Sequence, residues 1–176
     1  MSRYWLGLGS NLGDRAEALQ HAVEALAAEG VVVRAVSRVY ETAPQDVEDQ
    51  PPFLNAAVIA ESHLDPPAVL AAAKRVERAA GRDLDGLRYG PRPIDIDLLV
   101  WDGGPFTAAD PDLIIPHARL SERRFALVPL LDVDPALALP DGTAIAALAA
   151  AIPPGDQPVA RTDYPLAVPR SGAPGL

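Results

Sequence analysis

The sequence predicts an α+β domain with a ferredoxin-like β-α-β-β-α-β core and extra C-terminal elements. Three observations carry this. Short β-rich runs alternate with two segments of helical periodicity. Capping residues and glycines punctuate those segments at their ends. At 176 residues the chain suits one domain, and it is long enough to bury well over half of its unfolded surface.

Residues 4–8 (YWLGL) read as the first strand, stopped by Gly9, Ser10 and Asn11. Asp14 or Asn11 caps a helix over residues 15–28, where Ala18, Leu19, Ala22, Val23 and Leu26 recur at helical spacing. Gly30 ends it. Residues 31–40 (VVVRAVSRVY) are rich in β-branched side chains and read as a second strand. Residues 45–52 are polar and proline-bearing, hence a loop. Residues 53–61 (FLNAAVIAE) read as the third strand. Asp65 caps a second helix with Pro66 in its first turn, running to Ala80 and stopped by Gly81. Residues 82–91 form a charged, glycine-containing loop, and residues 94–101 (IDIDLLVW) the fourth strand. Beyond lie a strand near 113–115, a helix over 121–131 and a small helix over 143–151. Residues 1–152 are read as the domain. Residues 153–176, rich in Pro, are read as a tail, ordered only if it lies along that domain.

The formal net charge is −9 and there is no Cys. The charge speaks against general nucleic-acid binding, though a local Arg cluster can hold a small polyphosphate. The missing Cys excludes disulfides, thiolate nucleophiles and Cys-ligated metal sites. No apolar run reaches the ~20 residues of a membrane helix, and the N-terminus has no signal-peptide pattern. A cytoplasmic protein is expected, with no nucleic-acid or membrane partner.

The sharpest feature is Arg92-Pro93-Ile94-Asp95-Ile96-Asp97-Leu98-Leu99. D-x-D alone arises by chance, and it occurs here at 83/85, 95/97, 110/112 and 132/134. Three of these stand in loop-like sequence and read as solvated surface. Asp95 and Asp97 are surrounded by apolar residues. On a strand both face one side, with Ile94, Ile96 and Leu98 on the other. Such a pair needs protons or cations, and carboxylates with room for phosphate and water suit Mg²⁺. The other reading is a strand face exposed to water. Arg88, Arg92 and the segment His117-Ala118-Arg119-Leu120-Ser121-Glu122-Arg123-Arg124 add positive charge that fits phosphate. His117 follows Pro116 and reads as structural, exposed or catalytic; His21 and His63 read as surface. The segment from Gly9 to Gly13 reads as a tight turn, since it lacks the Lys-Ser/Thr of a Walker A loop. Phe53 and Phe125 read as core. Asn55 is a polar residue inside an apolar strand. It needs partners if buried, and it could read the edge of a heterocycle.

The run from Arg88 to Leu99 (RYGPRPIDIDLL) resembles the signature of the 6-hydroxymethyl-7,8-dihydropterin pyrophosphokinases of folate synthesis. So do Gly9-Ser10-Asn11-Leu12, Tyr40-Glu41-Thr42-Ala43-Pro44, Asp49-Gln50-Pro51, Phe53-Leu54-Asn55-Ala56-Ala57, and Pro116-His117 with Arg123 and Phe125. The resemblance covers residues 3 to 142. It implies a ferredoxin-like fold, transfer of pyrophosphate from ATP to the pterin hydroxymethyl group, release of AMP, and a monomer. It implies that Asp95 and Asp97 hold two Mg²⁺ ions and that Arg92, His117 and Arg123 contact the triphosphate. Arg82, Arg88 and Tyr89 would lie in a loop over it, with Arg82 and Arg92 serving catalysis. Leu98 and Ile114 would meet adenine through backbone groups, with Leu70, Lys74 and Glu77 beside the nucleotide. Phe53 and Phe125 would sandwich the pterin, with Thr42 and Asn55 on its edge and Gly9, Ala43 and Pro44 around it.

The chain departs from the family pattern at Phe53 and Tyr89, where the family often has Tyr and Trp. It also departs at Leu84, where a second loop Arg is common, and at Ala118, where an aromatic often follows the His. Two other functions fit parts of the pattern. One is a non-catalytic ligand-binding module on the same scaffold. The other is a Mg²⁺-dependent phosphoryl or nucleotidyl enzyme that cleaves at a different phosphorus.

Overall fold

Two helices form where capping and periodicity place them. The computed structural model describes residues 1–44, 49–81 and 93–170. In α1 (Arg15–Ala28) the Asp14 carboxylate accepts from Glu17 N–H. In α2 (Pro66–Ala79) Asp65 accepts from Ala68 N–H, with Pro in the first turn. Each cap satisfies a donor that the helix leaves open.

The strands depart from the local reading in informative ways. The first, β1 (Ser2–Ser10), runs on through Gly9, because Gly9 pairs with a strand on each side. Of the turn expected from Gly9 to Gly13, the first two residues are strand, and the chain bends around Gly13, whose φ is +64°. The expected single strand over 31–40 is two: β2 (Val32–Val36) and β3 (Tyr40–Thr42). Ser37 explains the break. Its hydroxyl accepts from Ala57 N–H at 2.8 Å and donates to the Arg38 carbonyl at 2.7 Å, so a side chain stands where a backbone carbonyl would continue the ladder.

The long β4 (Phe53–Ser62) pairs with β1, β2 and β3, and β1 pairs with β5 (Asp95–Trp101). The sheet is antiparallel in order β5-β1-β4-β3-β8, where β8 is Val159–Arg161, with β2 also on β4. A separate hairpin, β6 (Phe106–Ala109) and β7 (Asp112–Ile115), replaces the single strand expected near 113–115. The helix expected over 121–131 is interrupted. A 3-10 turn (Leu120–Glu122) precedes α3 (Arg124–Val133), and Arg123 between them has φ −119° and ψ 89°, outside the helical region. The small helix α4 spans Ile145–Ala150. Within residues 153–176, Val159–Arg161 forms β8 and pairs with β3, so this part of the tail lies along the sheet.

The sheet separates two apolar clusters. One face packs Leu6, Leu8, Val58, Ile96 and Leu98 against α1 and α2. The other packs Trp5, Ala57 and Leu99 against Leu127 and Leu130 of α3. The C-terminal end of α3 is tied down by the 132/134 carboxylates, which are not free surface groups. Asp132 accepts from Tyr40 Oη at 3.1 Å and from Arg38 N–H at 2.8 Å, and Asp134 accepts from Trp5 Nε1 at 3.0 Å. Among the described residues, no helix is long and apolar enough to cross a membrane.

Candidate active site

Register brings the site together. Gly7 stands opposite Asp97 on one side and Ala57 on the other; Gly9 stands opposite Asp95 and Asn55. Residues directly opposite in an antiparallel sheet point to the same face. Asp95, Asp97 and Asn55 therefore share the face covered by α3, with two glycines between them. A Cβ on Gly9 would stand 3.0 Å from Asn55 Oδ1 and 3.5 Å from Phe53 Cδ1. Glycine thus leaves the floor of a cleft of about 480 Å³ open.

The polar groups on this cleft are held by neighbours. Asn55 is buried and donates from Nδ2 to Thr42 Oγ1 at 2.6 Å. Asn11, also buried, donates to Gln50 Oε1 at 2.8 Å and to the Pro51 carbonyl at 3.2 Å, holding the loop at the rim. Glu77 reaches from α2 under the edge strand. Its Oε1 accepts from Ile96 N–H at 2.9 Å, between the two Asp residues.

His117 and Arg123 supply the other wall. His117 N–H donates to the Leu99 carbonyl at 2.9 Å, which fixes this turn on β5. Nδ1 of His117 accepts from Arg119 N–H at 3.1 Å, so a neutral ring carries its proton on Nε2. Burial, then the Arg123 charge, lower its pKa to about 4; Asp95 opposes this and Arg119 adds to it. Arg123 is 8% exposed, with Nη1 3.8 Å from Asp97 Oδ2 and its guanidinium carbon 5.6 Å from the Phe125 ring centre. An Asp pair therefore faces a buried cation and an imidazole N–H.

Most of the residues singled out in the sequence line this one cleft: Gly9, Thr42, Ala43, Phe53, Asn55, Leu70, Lys74, Glu77, Asp95, Asp97, Leu98, Ile114, His117, Arg123 and Phe125. Neither Phe is fully buried: Phe125 packs against the apolar cluster under α3, whereas Phe53 belongs to neither cluster, which corrects its reading as core. Pro44 is not among the lining residues. Arg82, Arg88, Tyr89 and Arg92 lie outside the described residues. The lining also includes Gln50 and Arg119, which belong to the Asp49-Gln50-Pro51 and His117-to-Arg124 segments, and Asp112, which is expected from the sequence to be a solvated surface group. The Asn11 amide holds Gln50 there, a contact that arises only in the folded chain. Arg119 follows His117 by two residues, a spacing that lets its N–H reach the imidazole.

Residues 5–135 match the family model described as 7,8-dihydro-6-hydroxymethylpterin-pyrophosphokinase. The chain belongs to this family. It is 44% identical over 156 residues to the 2-amino-4-hydroxy-6-hydroxymethyldihydropteridine pyrophosphokinase of Methylorubrum extorquens, covering 88% of this chain and 97% of that one. It is 45% identical over 128 residues to the mitochondrial folate synthesis bifunctional protein of Pisum sativum, covering 73% of this chain and 24% of that one. The chain thus spans about a quarter of the bifunctional plant relative. A crystal structure of wild-type Plasmodium falciparum HPPK-DHPS with pteroate shares the fold. Its TM-score is 0.66 at 15% identity, over 85% of this chain and 44% of that one.

The donor set fits the magnesium that the family implies. Among the described residues no three His, Cys, Asp or Glu groups cluster as a closed metal site. Two same-face carboxylates on an open cleft are what Mg²⁺ uses when substrate phosphates and water complete its shell.

Proposed function

We propose that this chain transfers pyrophosphate from ATP to 6-hydroxymethyl-7,8-dihydropterin and releases AMP. The observation that carries the reading is one cleft with two chemistries on a single sheet face. Asp95, Asp97, His117 and Arg123 form a polyphosphate end, and Asn55, Thr42, Phe53 and Phe125 form a flat, edge-reading end. Family membership supports both halves.

In this reaction the pterin hydroxyl oxygen attacks the β-phosphorus. The bond from that phosphorus to the α–β bridging oxygen breaks, AMP leaves with that oxygen, and the hydroxyl proton is released. Asp95 and Asp97 hold two Mg²⁺ ions, which supply charge neutralisation to the phosphates when bound. Arg123 carries a guanidinium that is already desolvated and aimed by Phe125, so its attraction to phosphate is strengthened. Neutral His117 donates from Nε2 to a phosphate oxygen. Arg82 and Arg92 are proposed, by family resemblance, to serve the same charge, with Arg88 and Tyr89 beside it. Asn55 and Thr42 orient the pterin edge, and Phe53 and Phe125 flank its faces. Leu98 and Ile114 meet adenine through backbone groups, with Leu70, Lys74 and Glu77 beside the nucleotide. Positioning and charge complementarity supply the acceleration, and no side chain is assigned as general base.

The scaffold reading is ferredoxin-like. It is supported by the order of the four main strands, fourth-first-third-second in the antiparallel sheet. A cytoplasmic setting is supported by the absence of Cys. We read the chain as a monomer on the family resemblance alone.

A product assay tests the function. The chain is incubated with ATP, Mg²⁺ and the reduced pterin, and the nucleotides are resolved. AMP formed in step with a pterin diphosphate, and only when pterin is present, is expected. ADP instead would identify a kinase of ordinary phosphoryl transfer. Pterin-dependent ATP binding without turnover would identify a binding module.

A further inference from the structure

The tail reaches the site from behind. Gln157 Oε1 accepts from Arg124 N–H at 2.8 Å, and Gln157 Nε2 donates to the Glu122 carbonyl at 2.8 Å. The Gln157 backbone carbonyl accepts from Arg124 Nη1 at 3.0 Å. Three bonds thus fasten the residues on both sides of Arg123. The start of α3 needs such help. Arg123 stands at its N-cap position and makes no side-chain cap bond, yet the first N–H groups of a helix have no intrahelical acceptor. Gln157 provides one from 33 residues away.

Two residues later the same segment joins the sheet. In β8, Val159 stands opposite Thr42 and Arg161 opposite Tyr40. Thr162 then donates to the Val39 carbonyl from both N–H and Oγ1, at 3.0 and 2.8 Å. The segment therefore grips both walls of the cleft. Arg123 and Phe125 stand on one wall; Thr42, partnered by Asn55, stands on the other. A few covalently linked residues span the two grips, so their separation cannot drift far.

We propose that residues 157–162 are a strap that sets the width of the cleft, and that Gln157 is a positioning residue for Arg123 and Phe125. What the cleft holds rests on the pyrophosphokinase reading; the positioning of the two side chains does not.

The test uses the full chain labelled with 4-fluorophenylalanine, whose three Phe residues give three fluorine resonances, assigned by single Phe→Tyr variants. In Gln157→Ala the Phe125 resonance is expected to shift or broaden. That of Phe106, edge-on to Trp101 at 6.0 Å, is expected to stay. The KM for pterin is expected to rise about tenfold, the scale of one lost hydrogen bond that leaves a donor unsatisfied, with a smaller change in kcat. Gln157→Glu keeps the acceptor for Arg124 N–H and is expected to recover part of the loss. A folded Gln157→Ala protein with a lower melting temperature, but with an unmoved Phe125 resonance and unchanged pterin KM, would overturn the proposal. If the Phe125 resonance moves but the unmutated chain makes no AMP, the positioning stands and the pyrophosphokinase reading fails.

Discussion

Gly9 stands directly across the sheet from Asn55, and a Cβ on Gly9 would lie 3.0 Å from Asn55 Oδ1. On its other side Gly9 faces Asp95. The absence of a side chain there joins the two ends of the cleft. Gly9→Ala is expected to crowd Asn55 and weaken pterin binding by about tenfold or more, in line with ~1–3 kcal/mol for overpacking. ATP binding changes little. Calorimetry with each ligand separately checks this, and an equal loss for both would contradict it.

Asp95→Asn and Asp97→Asn keep shape and remove charge. Both carboxylates are half-buried on the cleft wall and neither belongs to an apolar cluster. The fold is expected to survive with its melting temperature nearly intact. Turnover is expected to fall by about 10³-fold or more, since electrostatic stabilisation of developing charge is lost. Near-normal AMP formation in both variants would sink the metal assignment.

Asn55→Ala removes a buried amide and strands the Thr42 hydroxyl. Leaving one buried polar group unpaired costs about 1–3 kcal/mol. We expect a matching loss of stability on chemical denaturation. Pterin affinity is expected to fall much more than ATP affinity, as titration of each ligand will reveal.

Glu77→Ala takes the acceptor from Ile96 N–H, which lies between the two Asp residues. The variant is expected to lose about 1–3 kcal/mol of stability and part of its ATP affinity. Glu77→Gln keeps an oxygen for that N–H and is expected to lose less of both. Denaturation and ATP titration of the two variants, side by side, decide whether the carboxylate supports β5.

His117 links the site to pH. Burial and the Arg123 charge lower its pKa from 6.5 to about 4. The fold therefore favours the neutral ring. The stability this contributes is complete above about pH 6.5 and is lost as pH falls from there towards 4. The ligand-free chain is expected to show a His117 ring titrating near pH 4 by NMR. His117→Asn is expected to lose less stability than the parent chain between pH 7 and 5. A ring that titrates at its ordinary value would refute the buried, neutral assignment.

Much of this architecture was legible along the chain. Asp14, Asp65 and Pro66 mark the starts of α1 and α2 through groups within one turn of the caps. The period of two places Asp95 and Asp97 on one face whatever the sheet does elsewhere. The order of short motifs identified the family, because each motif is a local set of residue types. Asn55 was conspicuous because a buried amide in an apolar strand requires a partner.

Other features depended on partners distant in sequence. Ser37 splits a β-branched run because Ala57, on another strand, meets its hydroxyl. Gly9 is strand rather than turn because both its neighbours are strands. Arg123 breaks a helical pattern, and Gln157 caps the helix that restarts after it. Spacing and residue chemistry account for the principal elements and the carboxylate pair, and the ordered motifs carry the resemblance to the family. Where strands end, which face carries the cleft and what holds its walls apart depend on contacts made in the folded chain. Those outcomes are set by hydrogen bonds and packing between segments whose meeting no local pattern encodes.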